Sequence, residues 1–412
     1  MSDCTDPSGV PFAALDPALL RNERTSLKWT RFPADILPMF VAEMDFTIAP
    51  EIKRALIERI ENSDIGYLDS PGPLAPAFAG FARDRWGWDV NEDHVRLVTD
   101  VATGVVEALR VGRPAGGRLA IPVPTYPGFF EMLEELSFET VQVPLVVPGP
   151  GTDEAGGLDL EAIEREFAAG IDAFILCNPH NPHGIVFTHA ELTALAELAA
   201  KYDVFVVSDE IHAPLVHDPA AFMPFAPVAA EAGTLALAST SASKGWNIAG
   251  AKCAVLVAAD DRSAELLDKL PPEAVTRSSI LGLHAGVAAF TEARDWLDRA
   301  IAQIKANDDL LAELVSAHLP RVVHTRPAAS YVSWLDFREA GLGDDPYERI
   351  LNDAKVAFNN GAFFGEGGQG HVRINLACAP ETIREAIRRI AAILPSTPAA
   401  DTHTTTVEGT VR

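Results

Sequence analysis

Between residues 95 and 260, short and mostly apolar runs alternate with stretches of helical periodicity. Six runs read as strands: RLAIPVP (118–124), FETVQVPLVV (138–147), DAFILCNP (172–179), VFVVSDE (204–210), TLALAST (234–240) and CAVLVA (253–258). Their alternation with helices is as expected of a sheet covered on both faces. Between 179 and 204 the pattern predicts a helix. Thr188 and Glu191 stand at capping-box spacing, and Leu192, Leu195, Ala196 and Ala199 share one face. Strands alternating with helices predict an α/β fold with a mostly parallel sheet flanked by helices. Residues 283–319 are strongly helical and read as one long connector. After them VVHT, SYVSWLDF and VRINLA alternate with helical stretches at 345–355 and 380–394, which predicts a smaller C-terminal α/β domain. The expected division is an N-terminal segment (1–50) packing with the small domain, a large domain (51–285), a small domain (286–395) and a disordered tail (396–412). Residues 1–15 and the tail are polar and lack periodicity, so both are expected to be mobile.

Composition narrows the classes. Of 412 residues 48% are hydrophobic and 22% charged, enough to build a large core and to exclude disorder as the main state. Lys+Arg 33 against Asp+Glu 58 gives a net charge of -25, which disfavours nucleic acid and anionic membranes as partners. No apolar run approaches the ~20 residues a membrane helix needs. The N-terminus has neither a basic region nor an apolar one, so no secretory signal is expected. Cys4, Cys177, Cys253 and Cys378 are far apart, with no CxxC pair and no histidine at metal-ligand spacing. Neither a disulfide framework nor a metal site is expected, and the chain is expected in the cytoplasm.

In open α/β sheets ligands sit beyond the carboxyl ends of the strands. Three strand ends carry candidate chemistry. In STSASKGWNIAGAK, Lys244 follows an apolar strand and a run of hydroxyls; a lysine in a dry site suits imine chemistry with a carbonyl, and the serines suit a phosphate. In VFVVSDEIH, Asp209 emerges from a buried strand, where a carboxylate needs a partner. In CNPHNPHG, two Asn-Pro steps make a rigid turn that can aim an amide at a ligand oxygen. Taken one at a time, these segments also read as a Ser-rich loop with a snorkelling lysine, a helix cap and a plain turn.

Taken together, in this order and at positions 181, 209 and 244, they resemble the fold-type I pyridoxal-phosphate enzymes, the aspartate-aminotransferase superfamily, from about Lys28 to Leu394. The resemblance implies that Lys244 bonds the cofactor covalently, Asp209 pairs with its ring nitrogen and Asn181 bonds its ring oxygen. It implies that Tyr126 in PVPTYPGF stacks on the ring. Ala102 and Thr103 in DVATGVVEAL, Ser241 and Lys252 would hold the phosphate, with Lys252 standing where many relatives carry Arg. Arg373 in HVRINLA would clamp the substrate α-carboxylate. Tyr67 in DIGYLDSPGP would reach the phosphate of a second subunit, which implies a homodimer with shared sites.

ERTSLKW (23–29), ILPMFVAEMDF (36–46), DEIH (209–212), SASKGWNIAG (241–250) and FGEGGQGHVRINLAC (364–378) further resemble the MalY/PatB-type cystathionine β-lyases. This implies that His212 replaces a tyrosine near the ring oxygen. Ala42 and Glu43 match the loop that approaches the substrate carboxylate. His183 stands where Thr is common, and Pro214 where an acidic residue is frequent. The implied reaction is β-elimination from a cysteine S-conjugate. An aminotransferase, or a branch member with an added protein-binding role, shares most of these residues.

Overall fold

A computed structural model describes residues 16–113, 116–147 and 156–395. The expectations for residues 1–15 and for the tail lie outside the described residues. The first strands in chain order are β1 (Leu37–Pro38), β2 (Val95–Val98), β3 (Arg118–Val123), β4 (Glu139–Pro144), β5 (Ala173–Cys177), β6 (Phe205–Asp209), β7 (Ala236–Thr240) and β8 (Ala254–Ala258). Then come β9 (Val323–Thr325), β10 (Val332–Asp336), β11 (Val356–Ala357), β12 (Asn359–Asn360) and β13 (His371–Asn375).

A seven-stranded sheet has the order β2-β8-β7-β6-β5-β3-β4. Strands β3 to β7 run parallel, and β8 is antiparallel to both its neighbours. All six runs read from the sequence are in it. The seventh, β2, was not singled out because it is four residues long and Arg96 interrupts its apolar run. Every residue of β5, β6, β7 and β8 is buried. Alternation divides them between two layers. Ile175, Val207 and Leu237 pack with Val105 and Leu109, while Phe174, Leu176 and Val206 pack with Leu192 and Leu195. Each such side chain contributes ~1.5–3 kcal/mol by leaving water, so strand register is strongly specified.

The helix His189–Tyr202 carries the capping box and buries Leu192, Leu195, Ala196 and Ala199, as its sequence predicts. The stretch 283–319 is instead two helices, Ile280–Thr291 and Arg294–His318. At the break, the Trp246 indole donates to the Ala293 carbonyl at 2.8 Å, a tertiary contact that periodicity does not reveal.

A four-stranded antiparallel sheet, β12-β13-β10-β9, follows, and β1 pairs in parallel with β11. The segment after β1 is held from two sides. Asn375 at the end of β13 donates its side-chain amide to the Val41 and Glu43 carbonyls at 2.8 and 2.7 Å. Asn247, three residues beyond Lys244, exchanges hydrogen bonds with the Met44 backbone, both 2.9 Å. A buried Lys28–Asp45 ion pair at 2.6 Å anchors the same strap.

Candidate active site

The parallel register aligns Cys177 with Asp209 and Asp209 with Ser239, so three chain segments leave the sheet side by side. Asp209 ends β6. One of its oxygens accepts the Ile211 N–H at 3.0 Å, and burial pushes its carboxyl up to about 6. Lys244 lies on the short helix Ala242–Gly245 after β7. Its Nζ donates to the Ala42 carbonyl at 2.8 Å. Burial, then the charge of Arg373, lower its ammonium to about 8.

Arg373 reaches the same place from β13. Its Nη1 donates to Asn181 Oδ1 at 2.8 Å and its Nη2 to Asn359 Oδ1 at 2.9 Å. The guanidinium lies over the Phe364 ring, and its buried Nε has no partner among the described residues. Burial lowers it to about 10, which still leaves it charged near neutral pH. Since Asn181 uses its oxygen on Arg373, its amide hydrogens remain for a ligand. Tyr126, half exposed, stands edge-on to Phe129 and within electrostatic reach of Arg373 and Asp209. His212 is buried against Tyr331, with Nδ1 at 2.9 Å from Ser330 Oγ. Tyr331 in turn donates its hydroxyl to the Ala42 carbonyl at 2.8 Å, the acceptor that Lys244 also uses.

The residues expected at a phosphate lie together, but most are already engaged. Ala102 and Thr103 are in the first turn of the helix Val101–Gly112. Asp100 caps that helix, accepting the Thr103 N–H at 2.8 Å, and pairs with Lys252 Nζ at 2.8 Å. Ser241 donates its hydroxyl to the Cys253 carbonyl at 2.7 Å. Tyr67 is not shown among them; it is 94% exposed. His183 is buried between His180 and Trp334.

Sequence reasoning missed Asn359, Phe364, Ser330, Tyr331 and Asp100. Asn359 had no signal, because its place follows from the register of β12 opposite Arg373. Asp100 did have one: an Asp two residues before Ala102 is an N-cap in the middle of the suspected phosphate cradle.

The family model "Aminotransferase class I and II" matches residues 35–390. The cystathionine beta-lyase of Corynebacterium glutamicum is 35% identical over 375 residues, covering 91% of this chain and 98% of that protein. Cystathionine beta-lyase PatB of Bacillus subtilis (strain 168) is 32% identical over 377 residues, covering 90% and 96%. The crystal structure of cystalysin from Treponema denticola, which contains a pyridoxal 5'-phosphate cofactor, superposes with a TM-score of 0.83 at 25% identity, covering 90% and 96%. A matched model spanning most of the chain, and relatives above 30% identity over nearly their whole length, establish that this chain belongs to the aminotransferase class I and II family.

Proposed function

We propose that the chain is a pyridoxal-phosphate-dependent carbon–sulfur β-lyase, cleaving L-cystathionine or a related cysteine S-conjugate to a thiol, pyruvate and ammonia with consumption of water. One observation carries this reading. Asp209 and Arg373 are buried and Lys244 is partly buried around one cleft, and none forms an ion pair among the described residues. Uncompensated buried charges are costly unless a guest completes them. The cofactor and an amino acid supply what is missing: an aldehyde, a ring nitrogen and a carboxylate. Relatives named cystathionine beta-lyase support the lyase branch.

In this reading Lys244 takes the aldehyde, Asp209 the ring nitrogen, Asn181 and His212 the ring oxygen, and Tyr126 the ring face. Ala102, Thr103, Ser241 and Lys252 surround the phosphate, together with the partner's Tyr67. When bound, the cofactor supplies an electron-withdrawing ring that stabilises negative charge at the substrate Cα. The Asp209 carboxylate keeps a proton on the ring nitrogen. Arg373 binds the α-carboxylate through its Nε and remaining guanidinium hydrogens, aided by Asn181 and the Ala42 loop. Lys244 Nζ, which the substrate's own amine would displace from the aldehyde carbon, would then be the free amine that accepts the Cα proton. Thiolate then leaves from Cβ. The test is pyruvate release from L-cystathionine with and without a 2-oxo acid. Release without the acceptor supports the lyase; dependence on it makes the protein a transaminase.

The strand layout also supports the proposed division into domains. The seven-stranded sheet lies within 95–258, the four-stranded sheet within 323–375, and β1 joins β11. A cytoplasmic location accords with the free thiols of Cys177, Cys253 and Cys378. Among the described residues no helix is long and apolar enough to cross a membrane.

Two predictions follow from the phosphate side. A homodimer would complete each site with the partner's Tyr67, so Tyr67→Phe weakens pyridoxal phosphate by roughly tenfold to a hundredfold, the loss of a hydrogen bond to a charged phosphate. Cofactor titration and sedimentation beside the wild type measure this; unchanged affinity or a fully active monomer rules out sharing. Asp100 puts a carboxylate among the residues that would hold the phosphate, using Thr103 and Lys252 itself. Asp100→Asn keeps the cap but removes the charge. It is expected to tighten cofactor binding by about tenfold, and weaker binding would show that the carboxylate organises the cradle instead.

A further inference from the structure

Ser330 occupies a left-handed backbone conformation, φ 73°, which glycine adopts freely and other residues rarely. Strain of this kind persists where the surroundings over-determine it. Here they do. The Ser330 N–H donates to the Leu215 carbonyl at 2.9 Å, and its carbonyl faces His217 Nε2 at 2.9 Å. Next to it Ala329 bridges Val216, and the His217 N–H donates to the Ala328 carbonyl. A clasp therefore fixes 328–330 against 215–217, just after His212. The one side-chain partner this gives the Ser330 hydroxyl among the described residues is His212 Nδ1, at 2.9 Å.

We propose that Ser330 is a positioning residue that donates its hydroxyl to His212 Nδ1, and so fixes the tautomer in which Nε2 carries the hydrogen offered to the cofactor. The polarity follows from satisfaction of buried groups. Were Nδ1 the donor, the hydroxyl hydrogen of a side chain buried to 2% exposure would have no acceptor among the described residues. With the hydroxyl donating, the remaining N–H is on Nε2, which has no protein partner among the described residues and is free for a guest. Charge does not compete with this choice. Burial, then Lys244 and Arg373, hold the imidazole neutral by lowering it to about 3. A neutral imidazole donates from one nitrogen and accepts at the other, so its partner at Nδ1 decides what it offers at Nε2.

The cofactor contact rests on the function proposed above; the tautomer does not. The test is nitrogen-15 NMR of histidine-labelled full-length protein, with and without pyridoxal phosphate, His212 being assigned by the signals lost in His212→Gln. The expected result is a bare Nδ1 and a protonated Nε2 in both states. In Ser330→Ala the two tautomers mix, and cofactor affinity falls about fivefold. Ser330→Gly relieves the backbone strain while removing the hydroxyl, so it produces the same tautomer change without a lower melting temperature. A proton on Nδ1 in the wild type overturns the proposal. So does an unchanged tautomer in both variants, whatever their stability. A wild-type protein that fails to bind pyridoxal phosphate sinks the proposed function, while the spectrum without cofactor still decides the role of Ser330.

Discussion

Turnover of L-cystathionine falls by about 10⁴-fold or more in Lys244→Ala, and the cofactor's absorbance moves away from its wild-type position. In the proposed function one amine both bonds the cofactor and carries the Cα proton, and among the described residues no second amine is placed to substitute. Arg373 holds its charge at neutral pH, and His212 is kept neutral with its ring locked against Ser330. Pyruvate assays and absorption spectra of purified variants measure this, and a variant retaining both properties removes Lys244 from the mechanism. The titration of the amine gives a second readout. Only neutral Nζ is a nucleophile, so the rate of cofactor uptake by cofactor-free protein rises with pH and levels off above about 8. A rate still climbing toward the ordinary lysine range would mean that the amine is not desolvated.

Asp209→Asn slows exchange of the substrate Cα proton by about 10²–10⁴-fold, because an amide does not hold a proton on the ring nitrogen. It is expected to raise, not lower, the stability of the cofactor-free chain. Burial raises the folded pKa of Asp209 from 3.8 to about 6. The unfolded chain thus ionises first, and the group destabilises the fold increasingly as pH rises from the unfolded value through the folded one. Above about pH 6 the neutral variant avoids a penalty of roughly 2–3 kcal/mol, while its amide oxygen keeps the Ile211 N–H. Denaturant unfolding of both proteins at pH 4 and pH 8 checks the sign: the variant's advantage should appear at the higher pH. Equal stability at both would mean that Asp209 has a counter-charge.

The parts of the fold legible in the sequence are those set by local pattern. Buried parallel strands show as unbroken apolar runs, and the capping box at Thr188 marks a helix start. Lys244, Asp209 and Asn181 stood out because each follows such a run, where the chain must leave the sheet. What stayed hidden depends on contacts between distant segments. Asn359 meets Arg373 through antiparallel register, and Ser330 meets His212 across 118 residues. The break at Ala293 depends on an indole 47 residues away. Asp100 was overlooked because a helix cap looks ordinary until the ion pair with Lys252 is seen.

The Ala42 carbonyl accepts from Lys244 and Tyr331 at once, within a strap that Asn247 and Asn375 hold independently. A lysine that bonds a cofactor, as proposed for Lys244, has to leave the acceptor it uses in the cofactor-free chain. Were it the sole tie on that strap, its departure would free the loop. Tyr331 keeps the same oxygen in place while the amine is away, and the two asparagines keep the backbone around it. On that proposal, the rearrangement that cofactor uptake demands is confined to one flexible side chain, swinging over a backbone that need not reorganise.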